Sequence, residues 1–214
     1  MILPEHEAKE LLEKAQVPIV PTRIIDSLQD AADAAEQMGY PLVLKLSSSR
    51  YSHKTEVGGV FLNLEDQSAV ARAYDELIRL RQKLHGEAAI IVEPMAPPGA
   101  EFYIGVQRHD GFGLVISLGL GGVFLELFKD VSFRLLPARR SDFCEMLNEL
   151  KTWPKLRKGF RNLPPVGDDH LIDLMDKVAG LSLAREDIVE MDMNPVMAYA
   201  DRALVVDARI VTSG

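Results

Sequence analysis

The chain has 214 residues, 47% of them hydrophobic and 26% charged, which is enough apolar material for one large domain or two small lobes and excludes a disordered chain. Its formal net charge of −8 argues against non-specific binding to nucleic acid, although an acidic protein can still hold a local basic pocket for a nucleotide. A single cysteine, Cys144, excludes an internal disulfide and a cysteine-based metal cluster. No run approaches the roughly 20 apolar residues that span a bilayer, and residues 1–7 lack the basic and apolar regions of a signal peptide, so a soluble cytoplasmic protein is expected.

In chain order, residues 4–16 carry Ala8, Leu11, Leu12 and Ala15 at a helical period, and Val17-Pro18 closes that helix. Residues 19–25 read as a strand. Asp26 or Ser27 caps a second helix that runs to Met38, and Gly39-Tyr40-Pro41 turns the chain into the apolar run Leu42-Val43-Leu44, which ends at Lys45. A loop carrying His53 follows, then a strand over 60–64. Next comes a helix over 68–85 with Val70, Ala73, Tyr74, Leu77 and Leu80 on one face, then a buried strand over 88–92. Alternating helices and strands of this kind predict a mixed α/β lobe.

The segment Pro94-Met95-Ala96-Pro97-Pro98-Gly99 is a poor strand and a good hinge. Beyond it, residues 101–107, 113–118, 123–128 and 131–136 read as successive strands without intervening helices, which predicts an antiparallel sheet. Helices return over 141–150 and 168–183, and strands over 188–193 and 203–208 complete the pattern. The expected architecture is α+β, with lobes at 1–95 and 96–214 and a cleft between them.

Several residues carry chemistry. Lys45 and the stretch Ser52-His53-Lys54-Thr55-Glu56-Val57-Gly58-Gly59-Val60 bring an imidazole, two ammonium groups and a glycine pair close in sequence. Imidazole nitrogen is a competent nucleophile, lysine neutralises phosphate oxygens, and adjacent glycines let backbone N–H groups approach an anion. A surface loop with one solvated histidine would read the same way. Glu93 and Glu101 flank the hinge, where carboxylates can meet a ribose hydroxyl, an adenine amine or a metal-bound phosphate, or simply cap exposed strand ends. Gly119-Leu120-Gly121-Gly122 can present N–H groups to a phosphate, but it matches neither standard glycine fingerprint and would also serve a tight hairpin.

In Glu190-Met191-Asp192-Met193-Asn194-Pro195, Asp192 and Asn194 face the same way on an extended segment. If the following strand folds back, Asp207 joins Asn194 around one hard cation such as Mg²⁺; solvated acids beside an Asn-Pro turn are the alternative. The charged run Glu126, Lys129, Asp130 and Arg134 reads as a solvent face.

The order of these features along the chain resembles the ATP-grasp fold, and more closely the ATP-grasp domain of the ADP-forming acyl-CoA synthetases, the superfamily of succinyl-CoA synthetase and the β subunit of ADP-forming acetate–CoA ligase. The resemblance covers nearly the whole chain. It is carried by His53-Lys54-Thr55-Glu56-Val57-Gly58-Gly59-Val60, by Gly119-Leu120-Gly121-Gly122-Val123-Phe124 and by Lys129-Asp130-Val131-Ser132-Phe133-Arg134.

That resemblance implies two lobes with an ATP/ADP cleft between them. It implies Lys45 as a phosphate contact, Glu93 with Pro94 to Ala96 as the adenine-binding hinge, and Glu101 facing the nucleotide. Gly119, Gly121 and Gly122 are implied as the phosphate-facing turn, Asn194 and Asp207 as Mg²⁺ ligands, and Asp192 as an orienting or histidine-contacting acid. His53 is implied as the phosphoryl acceptor that relays the group to a CoA-binding module absent from this sequence, so an α-type subunit or fused domain is expected as partner and a small carboxylic acid as substrate. A module of a fused protein acetyltransferase, an ATP-dependent CoA-linked lyase and a non-catalytic nucleotide-binding module are the alternatives.

Overall fold

The computed structural model describes residues 1–51, 54, 57–84, 88–122 and 130–213. His53 and the expected strand over 123–128, with Glu126 and Lys129, lie outside the described residues. The chain forms two compact units, one of residues 2–9 and 20–96, the other of residue 1, residues 10–19 and residues 97–214. Helix α1 (Glu5–Lys14) contributes to both.

The first unit is built on an antiparallel sheet of β1 (Arg23–Ile25), β2 (Leu42–Ser47), β3 (Val60–Leu64) and β4 (Ala89–Pro94), in the order β1-β4-β2-β3. Helices α2 (Leu28–Met38) and α3 (Gln67–Lys83) cover it. Ala31, Ala34 and Ala35 of α2 and Val70, Ala73, Tyr74 and Leu77 of α3 share a core with Leu42, Leu44, Leu46, Ile90 and Val92. Small residues on one stripe of α2 let that helix lie close, and Ser27 caps it by accepting from the Asp30 N–H, as Asp66 caps α3 by accepting from the Ala69 N–H.

Strand β1 begins at Arg23 and not at residue 19, because Pro18 and Pro21 have no N–H to donate to a ladder. Glu93 lies within β4, opposite Val43, whereas the sequence pattern ended that strand at residue 92.

The second unit carries a sheet in which the described strands β10 (Ala208–Thr212), β8 (Ile188–Ala198), β5 (Ala100–His109), β6 (Gly113–Leu120) and β7 (Val131–Leu135) are antiparallel neighbours in that order, with β9 (Ala203–Val205) paired antiparallel to β8. Alternation along β5 buries Ala100, Phe102, Ile104 and Val106. Helix α6 (Asp168–Ala184) packs on β5, β6 and β8, and α4 (Arg140–Glu149) packs on β7 and α6. A short α5 (Trp153–Leu156), which has too few residues to show a period, sets Trp153 edge-on to Phe102 with ring centroids 6.1 Å apart.

Strand β8 continues through Pro195 to Ala198, and the segment expected as one strand over 203–208 divides into β9 and β10. Asp130 is a further correction. Its carboxylate is buried and accepts from the N–H groups of Lys151 and Thr152 at 2.9 and 3.0 Å and from the Thr152 hydroxyl at 2.8 Å, so it faces the start of α5 and not solvent. Among the described residues no helix is long and apolar enough to cross a membrane.

Candidate functional site

In the first unit the sequence-predicted Lys45 and Glu93 come together. They sit on the neighbouring strands β2 and β4, both buried, with Lys45 Nζ 2.9 Å from Glu93 Oε2. Sequence reasoning missed their company. From the first turn of α1, Glu5 Oε1 meets Lys45 Nζ at 3.0 Å and Lys9 Nζ at 3.1 Å, and Lys9 donates to Glu93 Oε1. The Thr22 hydroxyl donates to the same Glu93 oxygen at 2.8 Å, and Lys54 donates to Glu5 Oε2. Burial by itself would raise the Glu5 carboxyl, but the ammonium groups of Lys45, Lys9 and Lys54 outweigh it and hold that group far below the usual 4.5. The Glu5–Lys9 spacing of one helical turn was the legible part of this cluster.

In the second unit Glu101, the glycine turn, Asn194 and Asp207 are gathered. The Asn194 N–H donates to the Asp207 carbonyl at 3.2 Å, which sets the two residues opposite one another where β8 meets the approach to β10. The Gly122 N–H donates to Asn194 Oδ1 at 2.9 Å, and the Gly121 N–H to the Glu101 carbonyl at 2.8 Å. These two turn amides are therefore bonded within the chain.

Close approach within the chain also requires glycine in this turn. A Cβ at Gly121 would stand 2.5 Å from the Phe102 carbonyl oxygen, and one at Gly122, where φ is +59°, would run into Glu101 Oε2. Gly119 lies inside β6 against Val131.

The remaining acids divide between two cavities of the second unit. Asp192 lines one of about 390 Å³ with Tyr103, Ser117 and Glu190, while Glu101 lines another of about 630 Å³ with Thr152, Lys155, Phe160 and Arg161. Burial pushes the Asp192 carboxyl up, against the opposing hydrogen bond from Tyr103, and Glu190 adds to the rise. Burial also pushes the Tyr103 hydroxyl up to about 12, with the Asp192 charge reinforcing it, so Tyr103 stays a donor. Arg209 pairs with Glu190 and stands 3.5 Å from Asp192. Tyr103 carried no sequence signal, since an aromatic residue on a strand usually serves a core.

Oxygen donors at Asn194 and Asp207 have the chemistry of a hard-cation site, and the Asn194 carbonyl oxygen keeps a second lone pair beside its bond from Gly122.

A family model described as an ATP-grasp domain matches residues 1–212. The chain is 41% identical over 212 residues to acetate–CoA ligase [ADP-forming] II of Archaeoglobus fulgidus, which covers 99% of the chain but only 30% of that longer protein. It is 35% identical to the β subunit of acetate–CoA ligase [ADP-forming] I of Pyrococcus furiosus, over 98% of the chain and 91% of that subunit.

A solved structure of the dinucleotide-forming acetyl-coenzyme A synthetase 1 of Ca. Korarchaeum cryptofilum superposes with a TM-score of 0.92 at 39% identity, covering 99% of this chain and 93% of that one. A second structure of the same enzyme holds coenzyme A and Mg-AMPPCP, with its phosphohistidine segment pointing towards the nucleotide-binding site. It gives a TM-score of 0.84 at 39% identity, covering 98% and 92% of the two chains.

Proposed function

The chain belongs to the ATP-grasp family, and from that premise we propose that it is the nucleotide-binding, phosphoryl-transferring part of an ADP-forming acyl-CoA synthetase, working through a phosphohistidine at His53. The observation that carries the reading is the match to ADP-forming acetate–CoA ligases along nearly the whole chain, in one case to a free β subunit of similar length. The reaction is acyl-CoA + ADP + phosphate ⇌ carboxylic acid + CoA + ATP. A carboxylate cannot be attacked by a thiol directly because its oxyanion leaves poorly, so an acyl phosphate comes first and CoA displaces the phosphate. A histidine carrier lets the nucleotide and acyl sites lie apart.

Lys45, held in place by Glu5 and Glu93, serves as the cation for a nucleotide phosphate. Glu93 stands one residue before the end of β4, at the entry to Pro94 to Ala96, whose backbone meets the adenine edge, and Glu101 accepts from a ribose hydroxyl. Gly119, Gly121 and Gly122 line the approach of the phosphates, and the last two also set Glu101 and Asn194 in place. Asn194 and Asp207 would hold Mg²⁺, which supplies charge neutralisation at the phosphates, with Asp192 orienting the histidine that receives the group. Phosphoryl transfer depends chiefly on such positioning and charge. The CoA site belongs to an α-type subunit or fused domain, and the whole assembly works in the cytoplasm.

The test is to incubate the chain with γ-labelled ATP and Mg²⁺, with and without a CoA-binding partner. An acid-labile mark that His53→Ala abolishes, together with acyl-CoA formation only when the partner is present, is the expected result. Thioester synthesis by the isolated chain at an ordinary turnover rate would overturn the division of labour.

A further inference from the structure

Four of the buried ions in the first unit make a closed ring. Glu5 Oε1 meets Lys45 at 3.0 Å and Lys9 at 3.1 Å, while Glu93 meets Lys9 through one oxygen and Lys45 through the other at 2.9 Å. Each carboxylate thus contacts the same two ammonium groups, and the ring joins side chains of α1, β2 and β4. Lys54 is added to it from the loop between β2 and β3, on the second oxygen of Glu5, and its side chain is only 10% exposed. Burying a third ammonium group costs desolvation and sets it against two like charges.

A cation brought beside Lys45 at such cost, from the residue covalently next to His53, fits a reaction that needs positive charge on a multiply charged anion. Resting on the function proposed above, we propose that Lys54 is a second phosphoryl-contacting cation of this chain and that Glu5 is the positioning residue that sets it beside Lys45. One carboxylate, by engaging Lys45 with one oxygen and Lys54 with the other, displays two ammonium groups at a fixed separation. A phosphoryl oxygen would share these two ammonium groups with the carboxylates that hold them, Glu5 for both and Glu93 for Lys45 as well.

In the transfer the bond between the γ-phosphorus and the bridging oxygen of ATP breaks. The lone pair of a neutral His53 nitrogen forms the new N–P bond, and ADP leaves with the bonding pair on its β-phosphate oxygen. No proton has to move. Lys45 and Lys54 offset the charge on the transferred oxygens.

The experiment compares the full chain with Lys54→Met, Lys54→Arg and Glu5→Gln, reading the rate of His53 labelling from γ-labelled ATP at saturation, the dissociation constant for ADP with Mg²⁺, and the thermal midpoint. Lys54→Met is expected to label about 100-fold more slowly, as for loss of one donor to a developing charge, with ADP affinity kept within about twofold and Lys54→Arg recovering most of the rate. Glu5→Gln should also label more slowly. Lys54→Met labelling at the unsubstituted rate would overturn the proposal. So would a loss of rate that tracks a fallen thermal midpoint and weakened ADP binding and that arginine does not rescue. If the unsubstituted chain takes no label at all, the proposed function itself fails, and this inference with it.

Discussion

The backbone N–H of Gly122 donates to the side-chain oxygen of Asn194 at 2.9 Å, joining positions 72 residues apart. Asn194 thereby holds the end of the glycine turn while its N–H is bonded to the Asp207 carbonyl. Asn194→Ala should weaken Mg²⁺-dependent ADP binding tenfold or more, about 1.4 kcal/mol, and Asp207→Ala should do the same. Titration calorimetry with Mg²⁺ and again with a chelator checks this: the chelator should bring the unsubstituted chain down to the level of the variants, which it should hardly affect.

Glu5 makes stability depend on acid. Its folded-state pKa lies below the ordinary 4.5, so the folded chain binds fewer protons than the unfolded one, and the stabilisation is complete above about pH 4.5 and is lost as pH falls towards the depressed value. Urea midpoints should hold steady near neutrality and decline below that pH. Glu5→Gln should be less stable at neutral pH and flatter in acid. A slope unchanged by the substitution would place the acid sensitivity elsewhere.

Cutting the ion ring at its other carboxylate should be costly as well. Glu93→Ala leaves Lys9 and Lys45 without one of their two shared partners in a buried setting, at a cost of about 3–5 kcal/mol. Guanidinium unfolding would measure it.

Gly121→Ala is expected to destabilise the chain by about 1–3 kcal/mol, because the added methyl would meet the Phe102 backbone oxygen at 2.5 Å and backbone cannot step aside as a side chain can. Gly180→Ala, on α6 with nothing within 4 Å of the new atom, is the control and should be neutral or slightly stabilising.

Asp130→Ala removes the acceptor for three hydrogen bonds at the start of α5 and should cost about 1–3 kcal/mol by the same unfolding measurement. A change within experimental error would mean that water replaces the carboxylate.

Much of the architecture was legible because its signals are local. The alanine stripe and serine cap of α2, the apolar face of α3, the run of strands after the Pro-Gly segment and the antiparallel pairing they imply all follow from period and turn chemistry. Where the reading failed, a non-local effect decided. Proline kept residues 19–22 out of β1, whereas β8 passes through Pro195, where the Val206 N–H donates to the Pro195 carbonyl. Asp130 looked like one of several surface charges because its partners, Lys151 and Thr152, are some twenty residues away in sequence.

The candidate site shows the same division. Asn194 and Asp207 were paired in advance by supposing a strand that folds back, and they do lie opposite one another. Lys45 and Glu93 were each singled out, but nothing in the sequence announced that they bind one another or that Glu5 and Lys9 complete the set, since those partners come from a helix some forty and eighty residues away. The glycine turn was legible as a place of close approach, but not that the Phe102 carbonyl faces Gly121 and the Glu101 carboxylate faces Gly122, since both lie about twenty residues away in sequence.

Residues 10–19 belong with residue 1 and residues 97–214, include the buried Leu12 and Val17, and offer the Pro18 carbonyl to the Val205 N–H. Scission of the polypeptide at the proline-rich segment would therefore not release two autonomous folding pieces. The carboxy-terminal fragment would be left with an uncovered apolar scar, and would need the severed amino-terminal peptide added back in trans to become soluble and native.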